Sequence, residues 1–240
     1  MKFTRLAIPV WAGLFFAHVA LAQVPTIEVH SAGSPVVSAR CWTQAVGQRP
    51  DGGYTFIAQY FNHQSKLPNA APEWVLIDLE TGKQQVFNLP GYSNSNYQQK
   101  NCLRAANGRI FFSASGGHIH YYDPPTNSMK TLGSLLPDKS GYSFFYRLEF
   151  GPDGMLYATT QSSNRRTALA RIDPNTLEHK VWFDLGDPER KDGLTYGYYH
   201  QADPPWVYIG VGQNIWRLVA LNTETGEHRV LGTPTTWVEL

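Results

Sequence analysis

The chain has little charge, few cysteines and no long apolar run beyond its first 22 residues. Charged residues make up 16% of its 240 residues, and only two residues are cysteines. The net charge is +1, and the basic residues form no run or stripe. This argues against nucleic acid or an anionic membrane as the main partner. The sequence also lacks a Gly-x-Ser-x-Gly elbow, a phosphate-cradling glycine loop, a dinucleotide fingerprint and a closely spaced carboxylate pair. It therefore carries no local motif of the common hydrolases or nucleotide-dependent enzymes.

The first 22 residues have the pattern of a secretory signal peptide. Lys2 and Arg5 precede an apolar run that ends in a small-x-small cleavage signal, which predicts a cut between Ala22 and Gln23. A membrane anchor is the alternative, but Pro9 interrupts the run, which is shorter than the roughly 20 residues a spanning helix needs. The sequence therefore predicts a secreted or periplasmic protein, without membrane insertion after cleavage. Residues 23–240 form one domain in this interpretation.

The two cysteines, Cys41 and Cys102, would enter an oxidising compartment. Their positions are compatible with a disulfide and equally with two buried free thiols, because sequence spacing does not give the distance between their Cα atoms. The sequence has no Cys-x-x-Cys pair, the spacing typical of a metal site.

Past residue 40 the chain repeats itself. Four segments end a strand in Asp or Asn and then turn: "EWVLIDLETG", "HIHYYDPPTN", "ALARIDPNTL" and "RLVALNTETG". The marker residues Asp78, Asp123, Asp173 and Asn222 are 45, 50 and 49 residues apart. Upstream of each marker lies a turn and an apolar strand, as in "AANGRIFFSA" and "GPDGMLYATT".

This period, with about four short strands per unit, is typical of a β-propeller. The strands are rich in Val, Ile, Tyr, Phe and Trp and are bounded by turn residues, and several are apolar on both faces, as a blade between two neighbours must be. We therefore predict an all-β protein, a β-propeller with four recognisable blades. A β-sandwich is the competing architecture.

Two segments carry a family resemblance. "GGHIHYYDPPTNSMKTL" resembles a kelch blade, with Met129 where that family usually has Trp, and "LEFGPDGMLYATT" resembles strands of the gluconolactonase and streptogramin-lyase propellers. Each match covers a single blade, so the resemblance implies the fold and not an activity. The His and Glu pattern that supports a metal in the streptogramin-lyase family is not recognisable here.

Both ends suggest blades beyond the four. "PTIEVHS", residues 25–31, has the pattern of a lone outer strand, and the terminal "TTWVEL" that of a fifth inner strand. We therefore expect the N-terminal part of a larger propeller, with a closed four-bladed ring as the alternative.

The predicted binding face follows from propeller connectivity. Loops from an outer strand to the next inner strand, and loops between second and third strands, open on one face, where ligands usually bind. Tyrosine rings suit sugars, and arginines suit carboxylates. The predicted ligand-binding residues are Tyr142, Tyr146, Tyr196, Arg165, His118 and Asn214, and Tyr92, Tyr97, Arg166 and Gln213 belong to the same loops.

Strand alternation places Tyr196, Tyr198 and His200 on one side of their strand and Tyr199 on the other. At least one of these sides must pack against a neighbouring blade, so some of these side chains belong to the interior. We also expect Trp206 and Tyr208 in the core. His118 and His120 share a strand face and could chelate a metal, but no third ligand is identifiable, so no metal site is predicted. No cofactor is identifiable either.

Three functional hypotheses follow. The first is a binding module for a carbohydrate or other small extracellular ligand. The second is a lyase for uronic-acid polysaccharides or a related substrate, in which Arg147 or Arg165 neutralises the carboxylate and Tyr198 or His200 supplies the base and acid. The third is a non-catalytic protein-interaction scaffold.

Overall fold

The computed structural model describes residues 39–62, 73–90, 102–114, 116–136, 142–163, 167–185, 194–212 and 216–232. The chain divides into two compact units, Met1–Ser34 and Pro35–Leu240, and every described residue belongs to the second unit. The predicted signal peptide and the segments 25–31 and 235–240 lie outside the described residues. A search of the described part for a helix with the length and apolarity to cross a membrane found none.

The described residues form four consecutive four-stranded antiparallel meanders, which we call blades 1 to 4. Blade 1 contains β1 (Ala39–Gln48), β2 (Tyr54–Asn62), β3 (Glu73–Asp78) and β4 (Gln84–Asn88). Blade 2 contains β5 (Cys102–Arg104), β6 (Ile110–Ser113), β7 (His118–Asp123) and β8 (Ser128–Ser134). Blade 3 contains β9 (Tyr142–Phe150), β10 (Leu156–Ser163), β11 (Thr167–Ile172) and β12 (His179–Leu185). Blade 4 contains β13 (Leu194–Asp203), β14 (Trp206–Gly212), β15 (Arg217–Asn222) and β16 (His228–Gly232).

The repeat read from the sequence therefore corresponds to the observed blades. The prediction of an all-β chain with four units of four strands is confirmed for the described residues. A short ladder between β10 and β13 joins blades 3 and 4 into one eight-stranded sheet. The only helical turn among the described residues is a 3-10 turn at Pro124–Thr126, between β7 and β8.

The marker residues close the turns between third and fourth strands. Asp173 Oδ1 accepts hydrogen bonds from the backbone N–H groups of Asn175 and Thr176, at 2.7 and 3.3 Å. The Asn222 side-chain oxygen accepts two in the same way, both at 3.0 Å. Each side chain satisfies amides that the tight turn leaves without partners, which explains why Asp or Asn recurs at this position.

The turn at Asp173 gives a prediction with an internal control. Asp173→Ala removes two acceptor contacts and should lower the free energy of unfolding by about 1–2 kcal/mol. Asp173→Asn should stay within about 0.5 kcal/mol of the unmodified chain, because asparagine makes the same bonds in blade 4. Urea unfolding of the two variants measures the difference, and equal destabilisation by both would show that the acceptor oxygen is not the reason why Asp or Asn recurs in these turns.

Consecutive blades pack face to face, and each interface is a separate apolar core. One cluster joins Ile57, Trp74 and Leu76 of blade 1 to residues of blade 2 that include Phe112 and Tyr122. A second cluster joins blades 2 and 3, and a third joins blades 3 and 4. Alternation explains the arrangement, since successive residues of one strand point to opposite faces. We call the face toward the following blade the forward face and the other the backward face.

Polar contacts repeat along the same interfaces. Ser113 Oγ in blade 2 donates to the Phe145 carbonyl of blade 3 at 2.9 Å, and Thr159 Oγ1 in blade 3 donates to the Gly197 carbonyl of blade 4 at 2.6 Å. Both hydroxyls lie on a second strand, and both acceptors lie on the next inner strand. Blades 2, 3 and 4 are therefore joined in order by the same kind of bond.

The inner strands follow one another in the same order. β1 contacts β5, β5 contacts β9, and β9 contacts β13, which is the arrangement of inner strands around a propeller axis. No comparable contact joins β13 to β1 among the residues the structure describes, so these blades do not show a closed ring.

The structure differs from the sequence prediction at Trp206 and Tyr208, which we expected in the core. Both are only partly buried, because they lie on the forward face of blade 4, where no described blade follows. Of the two cysteines, Cys102 is a free thiol whose Sγ lies 3.5 Å from the Gln44 carbonyl, and burial raises its pKa. The side chain of Cys41 lies outside the described residues.

Candidate functional site

Three predicted ligand-binding residues lie at the same end of their blades. His118 begins β7, Tyr142 begins β9, and Tyr196 is the third residue of β13. First and third strands of a meander run in the same direction, so all three residues are at the end where the predicted binding loops emerge. Other candidates lie outside the described residues: Tyr92, Tyr97, Arg165, Arg166, Gln213 and Asn214. The side chains of Tyr142, Tyr146, Tyr196, Tyr198 and His200 lie outside them as well.

Arg147 and Tyr198 occupy equivalent positions on neighbouring inner strands. Arg147 of β9 pairs with Thr159, and Tyr198 of β13 pairs with Gly210. On the third strands, Thr159 pairs with Leu169 and Gly210 pairs with Leu218. Leu169 and Leu218 both lie four residues before the marker residue of their blade, which shows that the two positions are equivalent. The two residues proposed to handle a carboxylate and its adjacent proton therefore hold equivalent positions on inner strands that contact each other.

Arg147 is exposed and forms an ion pair with Glu149. The Nε atom of Arg147 lies 3.0 Å from Glu149 Oε1, and the two side chains are 44% and 29% exposed. An exposed pair of this kind contributes little to stability, about 0–1 kcal/mol. Arg147 thus places an exposed cation on the strand that contacts β13.

The strand register is irregular at His200. The pairing of β13 with β14 shifts between Tyr199 and Gln201, so His200 is the extra residue of a β-bulge. A bulge interrupts the period of two, so alternation along β13 does not decide which face the His200 side chain occupies. Tyr199 is buried as expected for the opposite face, and its ring stacks on that of Tyr157 in blade 3 with centroids 4.8 Å apart.

Buried threonines hold β13 in place, a role that sequence reasoning missed. Thr159, Thr160 and Thr167 are fully buried, and Thr159 binds the Gly197 carbonyl directly. A Cβ on Gly197 would lie 2.4 Å from Thr167 Oγ1, so only glycine allows this approach. The threonines in "LYATTQSSNRRTALA" could have indicated this role, but from sequence alone the segment resembles a polar surface loop, because the strand pairing is not known.

The two histidines of blade 2 lie together at the loop end. Their rings stack with centroids 6.0 Å apart, and His120 also meets Trp74 edge-on at 5.9 Å. Burial lowers the pKa of both, that of His120 to about 3 with a smaller contribution from His118, so both rings are neutral at physiological pH. The described residues contain no cluster of three metal-ligating side chains that includes them.

Comparison with known proteins gives partial structural likeness only. No family model matches the chain, and no curated protein does. The extracellular domain of a proposed one-component system of B. thetaiotaomicron is 9% identical over 85% of this chain, with a TM-score of 0.39. An engineered GH43 glycoside hydrolase with endo-xylanase and exo-arabinofuranosidase activity is 10% identical over 83%, and puromycin hydrolase is 16% identical over 78%, both with a TM-score of 0.36.

The chain spans less than half the length of these structures, at 31%, 43% and 28%. Superpositions this partial identify neither a family nor an activity. The propeller-like arrangement of the described residues therefore rests on their own strand pairing and interface packing.

Proposed function

We propose that this chain is a secreted or periplasmic carbohydrate-binding module whose ligand lies against the inner strands at the loop end of blades 3 and 4. The observation that carries the proposal is the equivalent placement of Arg147 and Tyr198 on the contacting strands β9 and β13. Tyr142 and Tyr196 lie nearer the loop end of the same two strands. A cation and several tyrosine positions therefore lie on the inner strands of neighbouring blades.

The backbone of blade 4 supports this location. Tyr196 and Tyr198 pair across the sheet with Gly212 and Gly210, which carry no side chains. The cross-strand neighbours therefore place no side chain beside the two tyrosine positions. Tyrosine offers an apolar face with a polar tip, which suits the mixed surface of a sugar.

Arg147 favours an acidic sugar over a neutral one. A guanidinium binds a carboxylate through two parallel hydrogen bonds, which a hydroxyl group cannot imitate. We therefore propose a uronic-acid oligosaccharide as the ligand class.

The same placement favours a lyase as the alternative function. In β-elimination, Arg147 would neutralise the uronate carboxylate, and a base would take the proton from the adjacent ring carbon. The carbon–oxygen bond to the leaving sugar then breaks, a carbon–carbon double bond forms in the ring, and an acid protonates the leaving oxygen. Tyr198 holds on β13 the position that Arg147 holds on β9 and is proposed as the base, with His200, on the bulge of the same strand, as the acid.

Calorimetric titration with uronic-acid oligosaccharides tests the proposal. Arg147→Ala should weaken binding of the acidic sugar by about ten- to a hundredfold, the loss expected for a hydrogen bond to a charged group. Tyr198→Ala should weaken binding of acidic and neutral sugars alike. Matched controls are Lys83→Ala, an exposed cation in a far-end turn, and Phe183→Ala, an aromatic residue 38% exposed on an outer strand.

The outcomes separate the three functions. Saturable binding without new ultraviolet absorbance supports the binding module, whereas unsaturated product that Tyr198→Phe abolishes without loss of binding supports the lyase. If neither variant differs from its control, the inner strands of blades 3 and 4 are not the site. The protein-interaction scaffold then becomes the better account.

A further inference from the structure

Two histidine side chains lie together near the loop end of blade 2, outside the proposed carbohydrate site. His118 and His120 are two residues apart on β7 and therefore project from the same face of the strand. His118 pairs with Ser134 of β8, and His120 pairs with Phe112 of β6. Imidazole nitrogen is a preferred ligand of transition metals, so two imidazoles on one strand face are a candidate metal site.

A hydrogen bond fixes the tautomer of His120. The ring bonds to the backbone of Pro90, and proline has no backbone N–H, so the Pro90 carbonyl accepts from a ring N–H. His120 Nδ1 has no hydrogen-bond partner among the described residues, so the donor is Nε2. The neutral ring therefore keeps its lone pair on Nδ1. Histidines that bind metals hold their other ring N–H in this way, against a carbonyl or carboxylate.

The Nδ1 atoms of both rings are buried without a partner. His120 is 1% exposed, and Nδ1 of His118 is likewise buried with no hydrogen bond to any described residue. Such atoms are rare in folded proteins, because each costs about 1–3 kcal/mol. Two of them on neighbouring rings are explained by one partner that binds both.

The distance between the rings fits a single metal ion. Their centroids are 6.0 Å apart, with 29° between the ring planes. Zinc lies about 2.0–2.1 Å from an imidazole nitrogen, so two rings that share one ion have centroids at most about 6.3 Å apart. The observed separation is within this limit. No hydrogen bond joins the two Nδ1 atoms directly, since each is without a partner in the described part of the chain.

Neighbouring groups hold the two rings in place. Trp74 meets the His120 ring edge-on, with centroids 5.9 Å apart. The turn before His118 has positive φ at both Gly116 and Gly117, 68° and 73°, and a Cβ on Gly116 would lie 3.5 Å from His118 Cδ2. One ring is thus fixed by packing and the other by a tight turn, which preorganises the pair for a ligand.

We propose that His118 and His120 bind one zinc ion through their Nδ1 atoms. Zinc suits the pair because imidazole is among its preferred ligands and because it imposes no geometry of its own. No third side chain joins the two rings among the described residues, so water completes the coordination and we expect reversible binding. Magnesium does not suit the pair, since it prefers oxygen ligands. The site does not depend on the proposed carbohydrate binding.

Calorimetric titration of zinc chloride into the full chain, after EDTA has been added and dialysed away, tests the proposal without any sugar. We expect one zinc ion per chain and no binding of Mg²⁺ at the same concentration. His118→Ala should weaken zinc binding at least about a hundredfold, because loss of an outer-shell partner alone costs about 10–100-fold. His179→Ala is the matched control, since His179 is exposed on β12 and its loss should leave zinc binding unchanged.

Long-range ¹H–¹⁵N NMR spectra of the histidine rings give a second measurement that needs no variant. Zinc should shift the Nδ1 resonances of His118 and His120 and leave His120 protonated at Nε2, as its bond to Pro90 requires. His120→Gln replaces His118→Ala if circular dichroism shows that variant unfolded. Absence of zinc binding, magnesium binding of equal strength, equal zinc affinity in the His118 and His179 variants, or unshifted Nδ1 resonances would each overturn the proposal.

Discussion

Replacing Trp74 by alanine is expected to cost about 3–5 kcal/mol of unfolding free energy, the range for deleting a large aromatic side chain from a core. Trp74 is 1% exposed, and its ring lies 4.7 Å from that of Phe112 across the interface between blades 1 and 2. It also meets the His120 ring edge-on, so the deletion would remove contacts with two aromatic rings of blade 2. Domains are stable by only about 5–15 kcal/mol, so the variant should be close to unfolding at room temperature.

Equilibrium unfolding in urea, followed by circular dichroism, measures this loss. Val86→Ala is the control, since Val86 is apolar and 53% exposed on the same blade and should change stability by less than about 0.5 kcal/mol. A loss below about 1 kcal/mol for Trp74→Ala would contradict the account, because it would mean that blades 1 and 2 do not share a packed interface.

Acid should destabilise the protein through His120 before its carboxylates are protonated. Burial lowers the pKa of His120 to about 3, so the folded chain keeps the ring neutral while the unfolded chain binds a proton near the ordinary histidine pKa of about 6.5. The unfolded state thus holds more protons between these values, and stability falls as pH falls through that window. Between about pH 7 and pH 4.5 the loss from this one group is about 2.5 kcal/mol.

Matched histidine variants isolate this contribution. His120→Gln removes the titrating ring. Between about pH 7 and pH 4.5, the unfolding free energy of this variant should therefore fall by at least about 2 kcal/mol less than that of the unmodified chain. His179→Gln, at an exposed position of β12, should keep the full dependence of the unmodified chain. The Asp78, Asp123 and Asp173 carboxyls have lowered pKa values, so their contributions are lost only at more acidic pH. Equal pH dependence in all three proteins would show that His120 is not held neutral.

The repeat made most of the architecture predictable from sequence. Marker residues such as Asp173 and Asn222 recur because a side-chain oxygen must satisfy turn amides, and this local chemistry is visible in the residue type alone. Apolar residues on both faces of "IFFS" predicted a blade between two neighbours, and Phe111 and Phe112 do pack on opposite sides. Trp206 and Tyr208 were misassigned because their burial depends on a following blade, which no property of their own strand specifies.

The candidate site was less predictable, for a geometric reason. Tyrosine-rich loops identified the end of the blades, but the relation of Arg147 to Tyr198 depends on register across three strands of each blade. The bulge at His200 and the contact of Thr159 with Gly197 likewise depend on pairing between segments distant in sequence. Residue types can indicate candidate site residues, whereas strand register decides which of those residues hold equivalent positions on neighbouring strands.

Hydrogen–deuterium exchange with and without a uronic-acid oligosaccharide tests the central claim most directly. The account predicts slower exchange in β9, in β13 and at the start of β7, with no change in the far-end turns at residues 79–83 and 173–178. The Arg147→Ala variant should lose that protection at the same sugar concentration, while Lys83→Ala keeps it. Protection confined to the far-end turns, or none at saturating sugar, would contradict a carbohydrate site on the inner strands of blades 3 and 4.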